Sequence, residues 1–370
     1  MKTEIENKLS KIAEIWNDYI WEYRECNKHI KFTAEAKTNY FGDILGYLQD
    51  TFEIVFEPRK SSSLSDTFAN NISLLQTIYV HQDFIEELLD LFKCKIDKGE
   101  LKKDENYYIN RDLRNELIGH PFRKINGRFI SSTVFSYHPN DGCLDYLRYH
   151  VDNNYQFESK SYKISEIIER HKKFLSTYFD KILERLKVIL FKFLKKIEEI
   201  EKLTDKVEFE ILLKILSIKF ESILNDKSYL YERNQLLTIY KKKDEHIRYQ
   251  NVINKFNDEL KNTLTDSKEN IMAFFEEEKR EEYQKVELPI LKFADSSSKN
   301  QKPLNKDRSY HYELGKLSTK REFEMYASFL KKVVEKDEKV AIEIENMRNN
   351  IFNDIEYYSS YYLLRNILKN

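Results

Sequence analysis

Residues 107–124 read YYINRDLRNELIGHPFRK, and the fold turns on where this stretch stops being helical. Pro121 disfavours the α region for the residue before it, and Gly119 is a natural helix-ending residue. The helix is therefore expected to begin near Asn106 to Asn110 and to stop at Ile118 or Gly119. His120 then stands just past the end, in extended backbone. Arg111 and Arg114 are three apart, and Arg111 and Asn115 four apart, so all three share one helical face.

Upstream of the stretch the pattern is helical. Ile5, Leu9, Ile12, Trp16, Ile20 and Tyr23 recur at helical spacing and predict a continuous helix over 4–31. A second helix is expected over 34–56, broken by EPRKSSSLSD at 57–66, whose end supplies an N-cap. A long apolar-sided helix follows to Ile96 and ends at DKGE, 97–100. Downstream, RFISSTVFSY, CLDYLRYHV and YQFESKSYKI are β-branched and aromatic, which predicts a two- or three-stranded meander at about 128–164 with a turn at HPNDG, 138–142. Helical patterning resumes from Ser165 to about Leu203.

These elements give a mainly all-α fold with a small β-meander insert. The divisions are a domain over 1–180, a long-helix region over 181–292, a linker at 293–309 and a C-terminal helical region over 310–370. With 7 Gly and 5 Pro in 370 residues, turns are scarce, as long helices require. The formal net charge of −1 gives no global attraction to nucleic acid, so any such affinity must be local. Cys26, Cys94 and Cys143 are odd in number and unclustered, which points to idle thiols in a reducing compartment and to no metal site. The N-terminal run is charged throughout and no segment nears the roughly 18 apolar residues of a membrane span, so a cytoplasmic protein without a membrane partner is expected.

The chemistry-bearing residues cluster in the opening stretch. Guanidinium groups bind phosphate oxygens bidentately, and asparagine both donates and accepts. No Asp or Glu occurs from Leu117 through Asn140, while Arg123, Lys124 and Arg128 do, as a phosphate-tracking surface would have. A histidine that moves protons beside arginines that hold a phosphodiester suits RNA transesterification with no cofactor and no metal. One histidine is thin for both base and acid, and a two-fold pairing of motif helices would supply a second. Arg24 and His29 form a similar pair, with four residues between them against five between Arg114 and His120, but inside the expected continuous helix nothing frees that histidine.

At RNELIGHP the chain resembles the Rx4–6H signature of the HEPN superfamily, helical ribonucleases frequent in toxin–antitoxin and antiphage systems. Arg114, Asn115 and His120 fall on the motif positions, with five residues between arginine and histidine. The preceding LLQTIYVHQDFIEELLDLF is similar to the helix before the motif in many bacterial members, its His81-Gln82-Asp83 standing where a QQD-like triplet recurs. The resemblance covers about residues 1–180. It implies a helical bundle that dimerises through the motif helices, and a metal-independent endoribonuclease acting on tRNA or mRNA as a toxin or abortive-infection effector. Arg114, Asn115 and His120 would be catalytic. Arg111, Gln82, Asp83, Arg123, Lys124 and Arg128 would support RNA, with Gln82 or Asp83 orienting Arg114 or His120. A regulatory or antitoxin protein would be a further partner. Some members carry a tyrosine two residues after the histidine that a partner nucleotidyltransferase modifies; Phe122 stands there, so that route of neutralisation is not expected. The competing expectation is a HEPN-type fold without activity, dimerising or binding nucleotide or RNA as a sensor or scaffold.

Overall fold

The computed structural model describes residues 2–57, 63–134, 142–204, 206–224, 232–276, 311–333 and 337–368. Among them are fourteen α-helices and one four-stranded antiparallel sheet, so the protein is mainly α with a small β insert. The chain divides into two compact units, 1–192 and 193–370.

The first unit opens with α1 (Lys2–Ile15), continued by a π-helical turn over Trp16–Ile20. Ile5, Leu9, Ile12, Trp16, Ile20 and Tyr23 are all buried, as their spacing requires. The helix is not continuous to residue 31, however. Tyr23 is extended (φ −117°, ψ 121°) and caps a separate short helix α2 (Arg24–Asn27). His29 lies beyond α2, its Nε2 3.4 Å from Glu25. A second π turn (Ala36–Tyr40) leads into α3 (Phe41–Phe56). Trp16 stacks on Phe41 at 4.0 Å and meets Phe92 edge-on, closing one end of the core.

Helix α4 (Leu64–Leu91) starts where the serines predict: Ser63 Oγ accepts from the Asp66 N–H at 3.1 Å. It ends five residues earlier than the apolar pattern suggests. Lys93 takes φ 51°, and Cys94 N–H donates back to Leu89 O at 2.9 Å, a left-handed C-terminal cap made without glycine. After α5 (Glu100–Lys103), Asp104 caps α6 (Glu105–Arg114) by accepting from Asn106 N–H at 2.8 Å.

The sheet has one more strand than expected and starts earlier. Strands β1 (Phe122–Ile125), β2 (Arg128–Val134), β3 (Cys143–His150) and β4 (Gln156–Lys163) form a meander in chain order. The missed hairpin turns at Asn126-Gly127, with φ 51° and 78°, the two positive values of a type I′ turn. The expected turn at 138–142 lies, apart from Gly142, outside the described residues, and so does the linker at 293–309.

Leu74, Leu75 and Ile78 of α4, Leu113 and Leu117 around α6, Leu144 and Tyr146 of β3, and Ile167 of α7 (Ile164–Thr204) form one buried cluster. Burying each such side chain stabilises by about 1.5–3 kcal/mol, against about 0–1 kcal/mol for a surface ion pair. Leu113 and Leu117 therefore fix where the motif helix lies. Polar ties add direction: Asn110 Nδ2 donates to Ile167 O at 2.9 Å, and Arg170 Nε donates to Asn110 Oδ1 at 3.1 Å. At the other end Lys8 of α1 donates to Ser176 and Asp180 of α7 at 2.7 and 2.8 Å.

The unit boundary falls within α7. The second unit contains α8 (Phe209–Ile223), α9 (Arg233–Lys241), α10 (Ile247–Glu276), α11 (His311–Leu317), α12 (Phe323–Val333), α13 (Glu338–Asn349) and α14 (Asp354–Ile367). Every residue of YYSSYYLL, 357–364, is buried there, so that aromatic run is core. Tyr357 OH donates to Leu317 O at 2.6 Å, and Arg248 pairs with Glu343 at 3.2 Å in the interior. No helix among the described residues is long and apolar enough to cross a membrane. The three cysteines are free, Cys26 fully enclosed and the other two half-buried.

Candidate functional site

α6 runs on from Arg114 into a π-helical turn, Asn115–Gly119, and the helix ends there as its sequence predicts. His120 N–H donates to Asn115 O at 2.7 Å, spanning one residue more than an α-helical bond, and His120 itself is extended at φ −142°, ψ 62°. Single π turns often occur at functional sites. Two others occur among the described residues, so the turn is notable for what it carries and not for being there. The His120 carbonyl accepts from Arg123 Nη1 at 3.2 Å, and Ser132 N–H donates to Pro121 O at 2.8 Å. The backbone on both sides of the histidine is thus pinned, while its ring is exposed and bonds to no described residue.

Arg114 is held from three directions. Its Nε and Nη2 both donate to Gln76 Oε1, at 3.0 and 2.9 Å, and Nη1 donates to Asn115 Oδ1 at 3.2 Å. The guanidinium lies over the Tyr79 ring at 4.0 Å. Of its five N–H groups, two are left without a partner among the described residues. Gly119 makes room for it: a Cβ there would come within 2.8 Å of Nη1. Asn115 links the pair, one oxygen accepting from Arg114 and the other from the His120 backbone.

Arg111 is the second cation of this face. Its Nη2 pairs with Asp83 at 2.7 Å, and its guanidinium covers the other part of the Tyr79 environment, 4.1 Å from that ring and 5.2 Å from Tyr107. Its Nη1 is out of contact with water and unpartnered. Gln76, Tyr79 and Asp83 are spaced three and four apart on α4, so one stripe of that helix holds both arginines.

The supporting roles expected from the sequence are therefore redistributed. Asp83 holds Arg111, and Gln82 donates to Tyr107 O at 2.9 Å; neither bonds to Arg114 or His120. Gln76 and Tyr79, which do hold Arg114, were missed, although their helical spacing with Asp83 was a usable signal. Glu116 was missed too. Its Oε1 accepts from Ser132 Oγ at 2.7 Å and Arg123 Nη2 at 3.2 Å and pairs with Arg148 at 3.2 Å, and its Oε2 accepts from Tyr146 OH at 3.2 Å. Burial works to raise this carboxyl, but the Ser132 and Arg123 hydrogen bonds and the Arg148 charge outweigh it and hold it below the ordinary carboxylate value. Glu116 rivets the turn to the sheet.

This also changes the expected phosphate track. Arg123 is engaged by Glu116, and Arg128 pairs with Asp152 at 3.0 Å in open solvent. Lys124 stands over the Phe129 ring at 4.5 Å with no acidic partner among the described residues. The acid-free sequence is balanced by carboxylates from just before it and from the β3–β4 turn. A cavity of about 330 Å³ beside the turn is lined mainly by hydrocarbon, including Leu75, Leu117, Ile118 and Pro121, and has little to offer a phosphate.

His81, from the HQD triplet, is interior. Its Nδ1 lies 3.0 Å from His171 Nε2 and its Nε2 2.7 Å from Thr51 Oγ1. His171, which has no partner in sequence, is thus paired across 90 residues. Among the described residues no group of three or more His, Cys, Asp or Glu stands close enough to hold a metal ion. What the motif offers chemically is the Arg114 guanidinium, with two N–H groups unpartnered among the described residues, and an exposed imidazole six residues further along the chain. No protein family, curated protein or solved structure matches this chain.

Proposed function

We propose that this protein is a metal-independent endoribonuclease of HEPN type, acting as a toxin or antiphage effector. The observation that carries it is the fixed Arg114 guanidinium, with two N–H groups free, joined through Asn115 to the residue that presents the His120 ring. In the proposed reaction the imidazole takes the proton of a ribose 2′-OH, the 2′ oxygen attacks phosphorus, and the P–O5′ bond breaks. The products are a 2′,3′-cyclic phosphate and a 5′-hydroxyl, the latter receiving its proton from an imidazolium. Arg114 stabilises the charge that builds on the non-bridging oxygens. A second copy, paired through α6, would supply the second histidine. A regulatory partner or the second unit would restrain the activity.

One observation favours the second reading, an RNA- or nucleotide-binding protein without chemistry: the His120 ring has no orienting group among the described residues. The full-length protein, incubated with tRNA and with mRNA in excess chelator, separates the two. Cleavage leaving cyclic phosphate ends is expected, and an Arg114→Ala, His120→Ala variant should lose it by about 10²-fold or more. Equal cleavage by the variant, or loss of cleavage on chelation, would rule the proposal out.

A further inference from the structure

We propose that the outer face of the four-stranded sheet is a stacking platform for the bases of single-stranded RNA, leading away from His120. The proposal rests on the ribonuclease reading and adds the form of substrate. Alternation and register place Phe122, Lys124, Phe129, Ser131, Leu147, Tyr149, Phe157 and Ser159 on one face. The opposite face, with Ile130, Ser132, Leu144 and Tyr146, is packed into the core. Phe122, Phe129 and Phe157 are 72%, 66% and 63% exposed, and Tyr155 in the turn before β4 is 62% exposed. A lone exposed ring needs no explanation, but four exposed rings gathered on one small sheet do.

They form a continuous surface. Phe122 pairs in register with Ser131, Ser131 with Tyr149, and Tyr149 with Phe157, so one row crosses all four strands, about 14 Å at ordinary strand spacing. Tyr149 lies 5.5 Å from the Phe157 ring and 6.0 Å from Tyr155. The composition favours bases over a protein partner. The large side chains are aromatic, with Leu147 the one sizeable aliphatic among them; Ser131 lies between Phe122 and Tyr149, and Ser159 and Ser161 continue the face along β4. On this face Lys124 has no acidic partner among the described residues, Lys163 pairs with Glu166 at 3.3 Å, and the one acid on the strands is Asp145, so the positive charge offered to a polyanion is that of Lys124 beside the Phe129 ring. Aromatic rings accept any base on their π-faces, and flanking cations hold the backbone. Position adds continuity: Phe122 is two residues, about 7 Å of extended chain, from His120.

The test is binding by the full-length chain in the Arg114→Ala, His120→Ala background, which prevents cleavage. The probe is a mixed-sequence single-stranded RNA of about 12 nucleotides. Adding Phe129→Ala and Phe157→Ala should weaken binding about tenfold or more, while Phe129→Tyr and Phe157→Tyr should stay within about twofold. Both rings face solvent, so folding is not at stake, and the tyrosine pair controls for it. If the background variant binds the RNA and the alanine pair binds equally well, the platform is wrong while the nuclease proposal stands. If the background variant does not bind and the natural chain does not cut, both fall. A change from dimer to monomer in light scattering, with binding per chain unchanged, would make this face a contact between copies and overturn the proposal.

Discussion

Gly119 shows how little backbone freedom need have to do with a glycine. It is not one of the residues with positive φ, so it does not end the helix by a left-handed turn. It matters because the Arg114 guanidinium occupies the space where a Cβ would project. Gly→Ala in helical backbone ordinarily stabilises by about 0.4–1 kcal/mol, and an arginine tip can swing away at little cost. Gly119→Ala should therefore leave the melting temperature unchanged or raised. Cleavage should fall by up to about 10²-fold, the scale of a 1 Å misplacement of a catalytic group. Parallel thermal melts and kcat/KM measurements check this, and a variant that keeps full activity would mean that the position of Arg114 is immaterial.

Between elements, the buried polar contact of most consequence is the one joining α3, α4 and α7. The Thr51 hydroxyl donates to Tyr47 O at 2.6 Å, so it accepts from His81 Nε2–H. His81 Nδ1 is then an acceptor for His171 Nε2–H, and His171 Nδ1 keeps a bare lone pair with no partner. Both rings are thereby neutral. Burial lowers His81 to about 3 from an ordinary 6.5 and pushes His171 well below the same value, with the His81 charge adding to the effect on His171. Above about pH 6.5 neither the folded nor the unfolded chain protonates these rings, and the pair's stability is fully present. As pH falls from there toward 3, the unfolded chain takes up protons that the folded one refuses. Each histidine then costs about 1.4 kcal/mol per pH unit. Denaturant midpoints at about pH 7.5 and about pH 5.5 should show a clear loss for the natural chain and a smaller one for His81→Leu, His171→Leu. Equal pH slopes would show that these rings are not the acid-labile element.

At the scale of the whole molecule, all the candidate catalytic and RNA-contacting residues, from Gln76 through the sheet face to Lys163, lie in the unit that ends at Lys192. The core beneath them is drawn from α4, α6, β3 and the start of α7, all within that unit. A chain ending at Lys192 should thus unfold cooperatively and cut RNA at least as fast as the full chain, faster if the second unit restrains it. Circular dichroism melts together with the cleavage assay decide the matter; a folded but inactive fragment would place an essential part of the enzyme in residues 193–370.

Apart from the break at Tyr23 and the early end of α4, the helices of the first unit, the Ser63 cap and the helix stop before His120 were legible because each depends on contacts within a few residues: apolar spacing, a hydroxyl over a free N–H, a proline ring against its neighbour. The first strand was legible too, in Asn126-Gly127, but was passed over in favour of the β-branched run after it. The grip of Gln76 and Tyr79 on Arg114, the capture of Arg123 and Arg148 by Glu116, and the pairing of His81 with His171 join residues from 7 to 90 positions apart. Local spacing can show that Gln76, Tyr79 and Asp83 share a stripe, but not which residues meet it, since such pairs form only when packing of Leu113, Leu117 and their neighbours sets the helices side by side. The sequence by itself determined which groups could do chemistry. Which of them stay free to do it was decided by tertiary packing, because a cation already matched by a carboxylate in the fold has little left for a phosphate.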